Sequence, residues 1–121
     1  MSNIVNSNAM DTAERAAEVL TRGGLIGLPT ETVYGLAGSV ASERALSKIF
    51  EVKGRPVGHP LIVHLASLDQ LDHYAQSVPQ TAVSLVEACW PGPLTVLLQR
   101  SRHVSDLITG NRHTVAIRIP A

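Results

Sequence analysis

The stretch Thr114-Val115-Ala116-Ile117-Arg118-Ile119-Pro120 decides the fold. Apolar β-branched residues recur at every second position, the period of a β-strand, and Pro120 stops the run because proline cannot donate to a sheet ladder. Alternation places Val115, Ile117 and Ile119 on one face and Thr114, Ala116 and Arg118 on the other. An arginine inside an apolar strand needs an anionic partner, either a structural Asp or Glu or the carboxylate or phosphate of a ligand. Thr114 either adds a hydroxyl to such a site or simply favours the strand.

Working outward, Leu61-Ile62-Val63-His64-Leu65 and Leu94 to Leu98 read as two more strands. Leu25 to Leu28, bounded by Gly24 and Pro29, reads as a strand buried on both faces. Pro29 to Gly38, rich in hydroxyls and glycine, reads as a structured loop at a strand end, a common place for ligands.

Helical signals fall between these runs. Asp11 and Thr12 offer caps for a helix through Leu20, stopped by Gly23-Gly24. Ser42 caps a second helix with Ala45, Leu46, Ile49 and Phe50 on one face, ended by Gly54. Ser67 and Gln70 have capping-box spacing and start a short helix through Tyr74. Pro79 opens a helix that reaches Trp90 and breaks at Pro91-Gly92-Pro93, and Val104 to Ile108 is at most one helical turn. The alternation implies one α/β domain with a mixed sheet. The run from Thr114, so near the last residue of the sequence, is either an edge strand or a strand whose second face further chain would cover.

Composition narrows the function classes. The 121 residues are 45% hydrophobic and 17% charged, enough to build a core and too apolar for disorder. Aromatics are only 3%, which argues against a base-stacking platform. Ten Lys and Arg balance ten Asp and Glu, so the whole-domain basic footprint of a dedicated DNA binder is missing. The charge is uneven, however: Arg100, Arg102, Arg112 and Arg118 face only Asp106 in the last part of the chain, and they suit small anionic ligands. A single cysteine, Cys89, fits a reducing compartment and, within a helical apolar stretch, is expected to be buried. No run is long and apolar enough to span a membrane, and the reading is cytoplasmic. Residues 1–10 read as a disordered leader or cloning scar, and 11–121 as the domain.

Few residues carry chemistry by themselves. Lys53-Gly54-Arg55-Pro56 puts two cations where a helix meets a loop; they face a phosphate or merely compensate the negative helix end. His64 lies within an apolar strand, partly desolvated, as a ligand contact or as a core histidine bonded to backbone. His59, His73, His103 and His113 lack zinc-site spacing, so no protein-built metal centre is expected. No P-loop, dinucleotide fingerprint or nucleophile elbow occurs.

Read together, Gly23-Gly24, Pro29-Thr30-Glu31-Thr32-Val33-Tyr34-Gly35-Leu36, Lys53-Gly54-Arg55-Pro56, Pro60-Leu61-Ile62-Val63-His64, Trp90-Pro91-Gly92-Pro93-Leu94-Thr95 and Thr114 to Pro120 resemble the YrdC-type threonylcarbamoyl-AMP synthase family. Six blocks in order, from about Ala13 to Ala121, carry the resemblance. It implies a twisted mixed sheet with flanking helices around a concave ligand cavity. It also implies a nucleotidyltransferase that joins L-threonine, bicarbonate and ATP into threonylcarbamoyl-AMP and pyrophosphate, with Mg²⁺ arriving on ATP. A threonylcarbamoyl-transferase complex would then use the product to modify tRNA.

Carried across by the matching blocks, the resemblance gives Thr30, Thr32, His64 and Arg118 to threonine, Arg118 holding its carboxylate. It gives Lys53 and Arg55 to the ATP phosphates and to catalysis, and Thr114 to the nucleotide. His59 stands where many members have Asn before the Pro-Leu-Ile-Val-His block and is expected to contact the nucleotide as well. The family normally continues past Arg-x-Pro into a Ser-x-N motif, so an incomplete domain with a weakened ATP site is expected. Two alternatives stand beside this reading: a YrdC-like module that binds RNA or nucleotide without complete synthesis, and a carbamoyl-transferring domain of a hydrogenase-maturation protein.

Overall fold

Residues 9–29, 34–54 and 58–120 are described by the computed structural model. Chain order is α1 (Ala9–Thr21), β1 (Ile26–Pro29), β2 (Tyr34–Ala37), α2 (Glu43–Lys53), β3 (Ile62–His64), a 3₁₀ turn (Leu68–Gln70) running into α3 (Leu71–Tyr74), α4 (Gln80–Cys89), β4 (Val96–Gln99), α5 (Asp106–Thr109) and β5 (Thr114–Arg118).

The strands form two sheets. β1 and β2 pair antiparallel, with Ile26 opposite Ala37 and Pro29 opposite Tyr34. The other sheet has the order β3-β5-β4, with β5 parallel to β3 and antiparallel to β4. The last strand in sequence is therefore the central strand of its sheet, not an edge. Its neighbours come from long stretches of earlier chain, and both of its ladders are occupied. The sheet has the expected mixed α/β character.

The stop signals act as read. Ser42 accepts from the Ala45 N–H at 3.1 Å, capping α2, and Gly54 closes it in the left-handed conformation at φ 65°. Gln70 Oε1 accepts the Ala66 N–H at 2.9 Å and the Ser67 N–H at 3.4 Å, the reciprocal half of the capping box. α1 begins at Ala9, inside the stretch expected to be leader, and Gly24 N–H closes on Val19 O at 2.9 Å.

Two expectations change. The segment Tyr34–Ala37, read as loop, is a strand, because backbone pairing with β1 compensates for its two small residues. β1 is not buried on both faces: among the described residues it pairs with β2 alone, Ile26 is half-buried and Gly27 is exposed.

The core lies on one face of the three-stranded sheet. Val63, Val96, Leu98, Val115 and Ile117 meet Leu46 and Ile49 of α2, Leu71, Val86 of α4 and Ile108 of α5. Cys89, at the end of α4, is exposed rather than buried, since Val86 is the buried residue of that helix.

Candidate functional site

The other face of the same sheet is open. In-register pairs on neighbouring strands share a face, so Ile62 with Ala116, His64 with Arg118, Leu97 with Ala116, and Gln99 with Thr114 all belong to it. Ile62 and Leu97 are 47% and 69% exposed there, although both are apolar. Three candidate residues, His64, Thr114 and Arg118, thus occupy one surface.

They divide between its two ends. His64 and Arg118 are direct partners at the carboxyl ends of the parallel strands β3 and β5, where ligands bind in parallel sheets. Thr114 is four residues earlier, about 13 Å away at the strand rise of ~3.3 Å per residue. His59 precedes β3 at that same amino end and is exposed. Lys53 is the exposed last residue of α2. Arg55, Thr30 and Thr32 lie outside the described residues.

Arg118 is only 6% exposed, yet it sits on the open face. The Trp90–Gly92 turn contacts it: Arg118 Nε donates to Gly92 O at 2.9 Å, and Gly92 N–H donates to Ile119 O at 2.8 Å. Trp90 Nε1 in turn donates to Leu94 O at 2.7 Å, bracing the turn. A backbone carbonyl thus takes the Nε–H. The same bond fixes the plane of the guanidinium.

His64 is exposed, not desolvated as its apolar neighbours suggested, because alternation turns Val63 and Leu65 inward and leaves His64 on the opposite face, in a strand at the edge of the described sheet. Its Nδ1 lies 3.2 Å from Ile62 O, a local contact that orients the ring.

The C-terminal arginines separate into different jobs. Arg100 Nη1 donates to Asp106 Oδ1 at 2.7 Å and to Thr109 Oγ1 at 2.8 Å, and Nη2 donates to Val104 O at 2.6 Å. Arg112 Nη1 donates to Gly58 O at 3.1 Å. These two arginines hold chain rather than await an anionic ligand, which corrects the reading of the basic segment. Sequence offered no signal for this, since the acceptors are mostly backbone carbonyls.

Two cavities among the described residues do not include the candidate residues of this face. One of about 340 Å³ lies between α2 and α5, lined by Glu43, Gly58, Arg100 and Gly110 among others. The other, about 460 Å³, lies beside Trp90, Pro91 and Pro120. Among the described residues no cluster of three metal-ligating side chains occurs, and no helix is long and apolar enough to cross a membrane.

Fold and site together define a class: an α/β domain whose half-covered mixed sheet presents a histidine and a buried arginine at the carboxyl ends of two parallel strands. The Sua5/YciO/YrdC family, described as telomere recombination, matches residues 18–121, and the chain belongs to that family. It is 48% identical over 106 residues to the threonylcarbamoyl-AMP synthase of Pyrococcus abyssi, covering 88% of this chain and 31% of that protein. It is 36% identical over 114 residues to the synthase of Saccharophagus degradans, covering 94% and 60%. The crystal structure of P. abyssi Sua5 complexed with L-threonine superposes with a TM-score of 0.86 at 48% identity, covering 88% of this chain and 32% of that one. Escherichia coli YciO superposes at 0.80 with 27% identity, covering 92% and 54%. The chain thus spans between about a third and three-fifths of these relatives.

Proposed function

We propose that the chain acts in L-threonylcarbamoyladenylate synthesis, forming threonylcarbamoyl-AMP and pyrophosphate from L-threonine, bicarbonate and ATP. The observation that carries this reading is the pairing of His64 with the buried Arg118 on an open sheet face, in a chain 48% identical to a Sua5 protein crystallised with L-threonine. Arg118 takes the threonine carboxylate, its plane set by Gly92. His64, Thr30 and Thr32 are assigned to the same substrate by the matching sequence blocks.

Threonine's amine combines with bicarbonate, losing water, to give a carbamate. A carbamate oxygen then bonds to the α-phosphorus of ATP as the bond from that phosphorus to the bridging oxygen breaks, and pyrophosphate leaves. Lys53 and Arg55 neutralise the charge gathering on the phosphates, while His59 and Thr114 contact the nucleotide. Mg²⁺ enters on ATP as part of the substrate. A carbamate is already anionic, so positioning accounts for the step without a general base. Thr114 lies on the same face as His64 and Arg118 and about 13 Å from Arg118 by strand rise, which suits a two-substrate site. The product would pass to a transferase complex that modifies tRNA.

An RNA-binding module is less well supported, because Arg100 and Arg112 are committed to backbone and Asp106 rather than to a basic surface. Calorimetry with L-threonine and a pyrophosphate-release assay test the proposal. Threonine binding lost in Arg118→Ala, and pyrophosphate release that requires threonine, bicarbonate and ATP together, support it. Threonine affinity indifferent to Arg118→Ala would remove it.

A further inference from the structure

The connection from α2 to β3 leads from Lys53 to His59, both assigned above to ATP, and a separate element grips it at Gly58 and Leu61. Arg112 Nη1 donates to Gly58 O at 3.1 Å and to Thr109 O at 3.4 Å, joining this loop to the end of α5. Gly110, left-handed at φ 62°, lies so close that a Cβ there would overlap the Gly58 carbonyl oxygen. Leu61 N–H donates to Ile108 O at 2.7 Å, a third tie between the same two segments.

The gripping element is itself held. Arg100 bonds Thr109 Oγ1, Asp106 and the Val104 carbonyl, and its Nη1 reaches Arg112 O at 3.3 Å. Thr109 is 1% exposed, so the turn that presents Arg112 is anchored in the core. A loop that must hold cations against phosphates gains from such pre-organisation, because loop ordering otherwise subtracts from binding.

We propose that Arg112, with Gly110, is a positioning residue that sets nucleotide affinity by fixing Gly58, and with it the neighbouring His59 of the α2–β3 loop, without itself touching the nucleotide. This rests on the assignment of that loop to ATP made under the proposed function.

The test measures ATP and L-threonine binding by calorimetry on the 121-residue chain for wild type, Lys53→Ala, Arg112→Ala, Arg112→Lys and Arg102→Ala. Arg112→Ala is expected to weaken ATP about five- to tenfold, the net worth of one hydrogen bond, with threonine affinity unchanged. Arg112→Lys keeps one donor for Gly58 O and recovers part of the loss. Arg102→Ala removes an equal charge from an exposed position and leaves ATP affinity at the wild-type value. Amide hydrogen exchange at Leu61, faster in Arg112→Ala, reports the loosened loop independently of any ligand.

Arg112→Ala with wild-type ATP affinity, or with a loss matched by Arg102→Ala, overturns the positioning role while Lys53→Ala still weakens ATP. If Lys53→Ala also leaves ATP untouched, or wild type binds none, the nucleotide assignment fails and this inference fails with it. Should Arg112→Ala not fold, Arg112→Lys decides: equal loss of ATP and threonine affinity counts against positioning, and a loss confined to ATP counts for it.

Discussion

Arg118 and His64 are register partners with opposite burial, and this makes them different probes of the proposed threonine site. His64 is exposed and makes only a local contact, so His64→Ala is expected to change stability by no more than about 0.5 kcal/mol. Its threonine affinity should nevertheless fall, which calorimetry beside a thermal melt would separate. Arg118→Ala removes the Gly92 bond as well as the group proposed to hold the threonine carboxylate, and should lower both melting temperature and threonine affinity. The sequence made Arg118 conspicuous, because alternation forces it to one face of an apolar strand. Which group it meets was not legible: Gly92 is 26 residues away in sequence and contributes only a carbonyl.

Among the elements, α2 is the most completely specified by local sequence. Ser42→Ala should cost about 1 kcal/mol by urea denaturation, the usual worth of an N-cap. Gly54→Ala should cost a similar amount, since an alanine there must hold φ at 65°. Because Gly54 is followed by the loop assigned to ATP, that variant should also weaken nucleotide binding, whereas Ser42→Ala at the far end of the helix should not. β2 shows the opposite case. Tyr34-Gly35-Leu36-Ala37 has weak strand propensity, and it becomes a strand through pairing with β1. Short strands of this kind depend on a partner that local patterning does not reveal.

For the molecule as a whole, the sheet has one face that carries stability and one that carries the candidate site. Ile117→Ala, at a position with no exposed surface, should destabilise by about 3 kcal/mol. Leu97→Ala, one strand away and 69% exposed, should change stability by less than about 0.5 kcal/mol. Chemical denaturation of the two variants checks the contrast, and equal losses would mean that the open face is also packed. Arg100→Ala should cost about 2–3 kcal/mol, because it leaves the Thr109 hydroxyl and the Val104 carbonyl without this partner in a part-buried setting. Arg102→Ala, at an exposed position, provides the comparison.

The sequence by itself determined the helices with their stops, the four apolar strands, the face of Arg118, and the family through six ordered blocks. Those features are local: periods, caps and short motifs act within a few residues, and composition constrains the rest. Only the tertiary structure decided that the last strand is the central one, that Cys89 and His64 face solvent, and that Arg100 and Arg112 hold backbone carbonyls. Each of these depends on which distant segment lies alongside, and a carbonyl acceptor is the same at every residue. The run Thr114 to Pro120 therefore announced a strand with an arginine in it. Pairing with β3 and the turn at Gly92 made that arginine half of a candidate site.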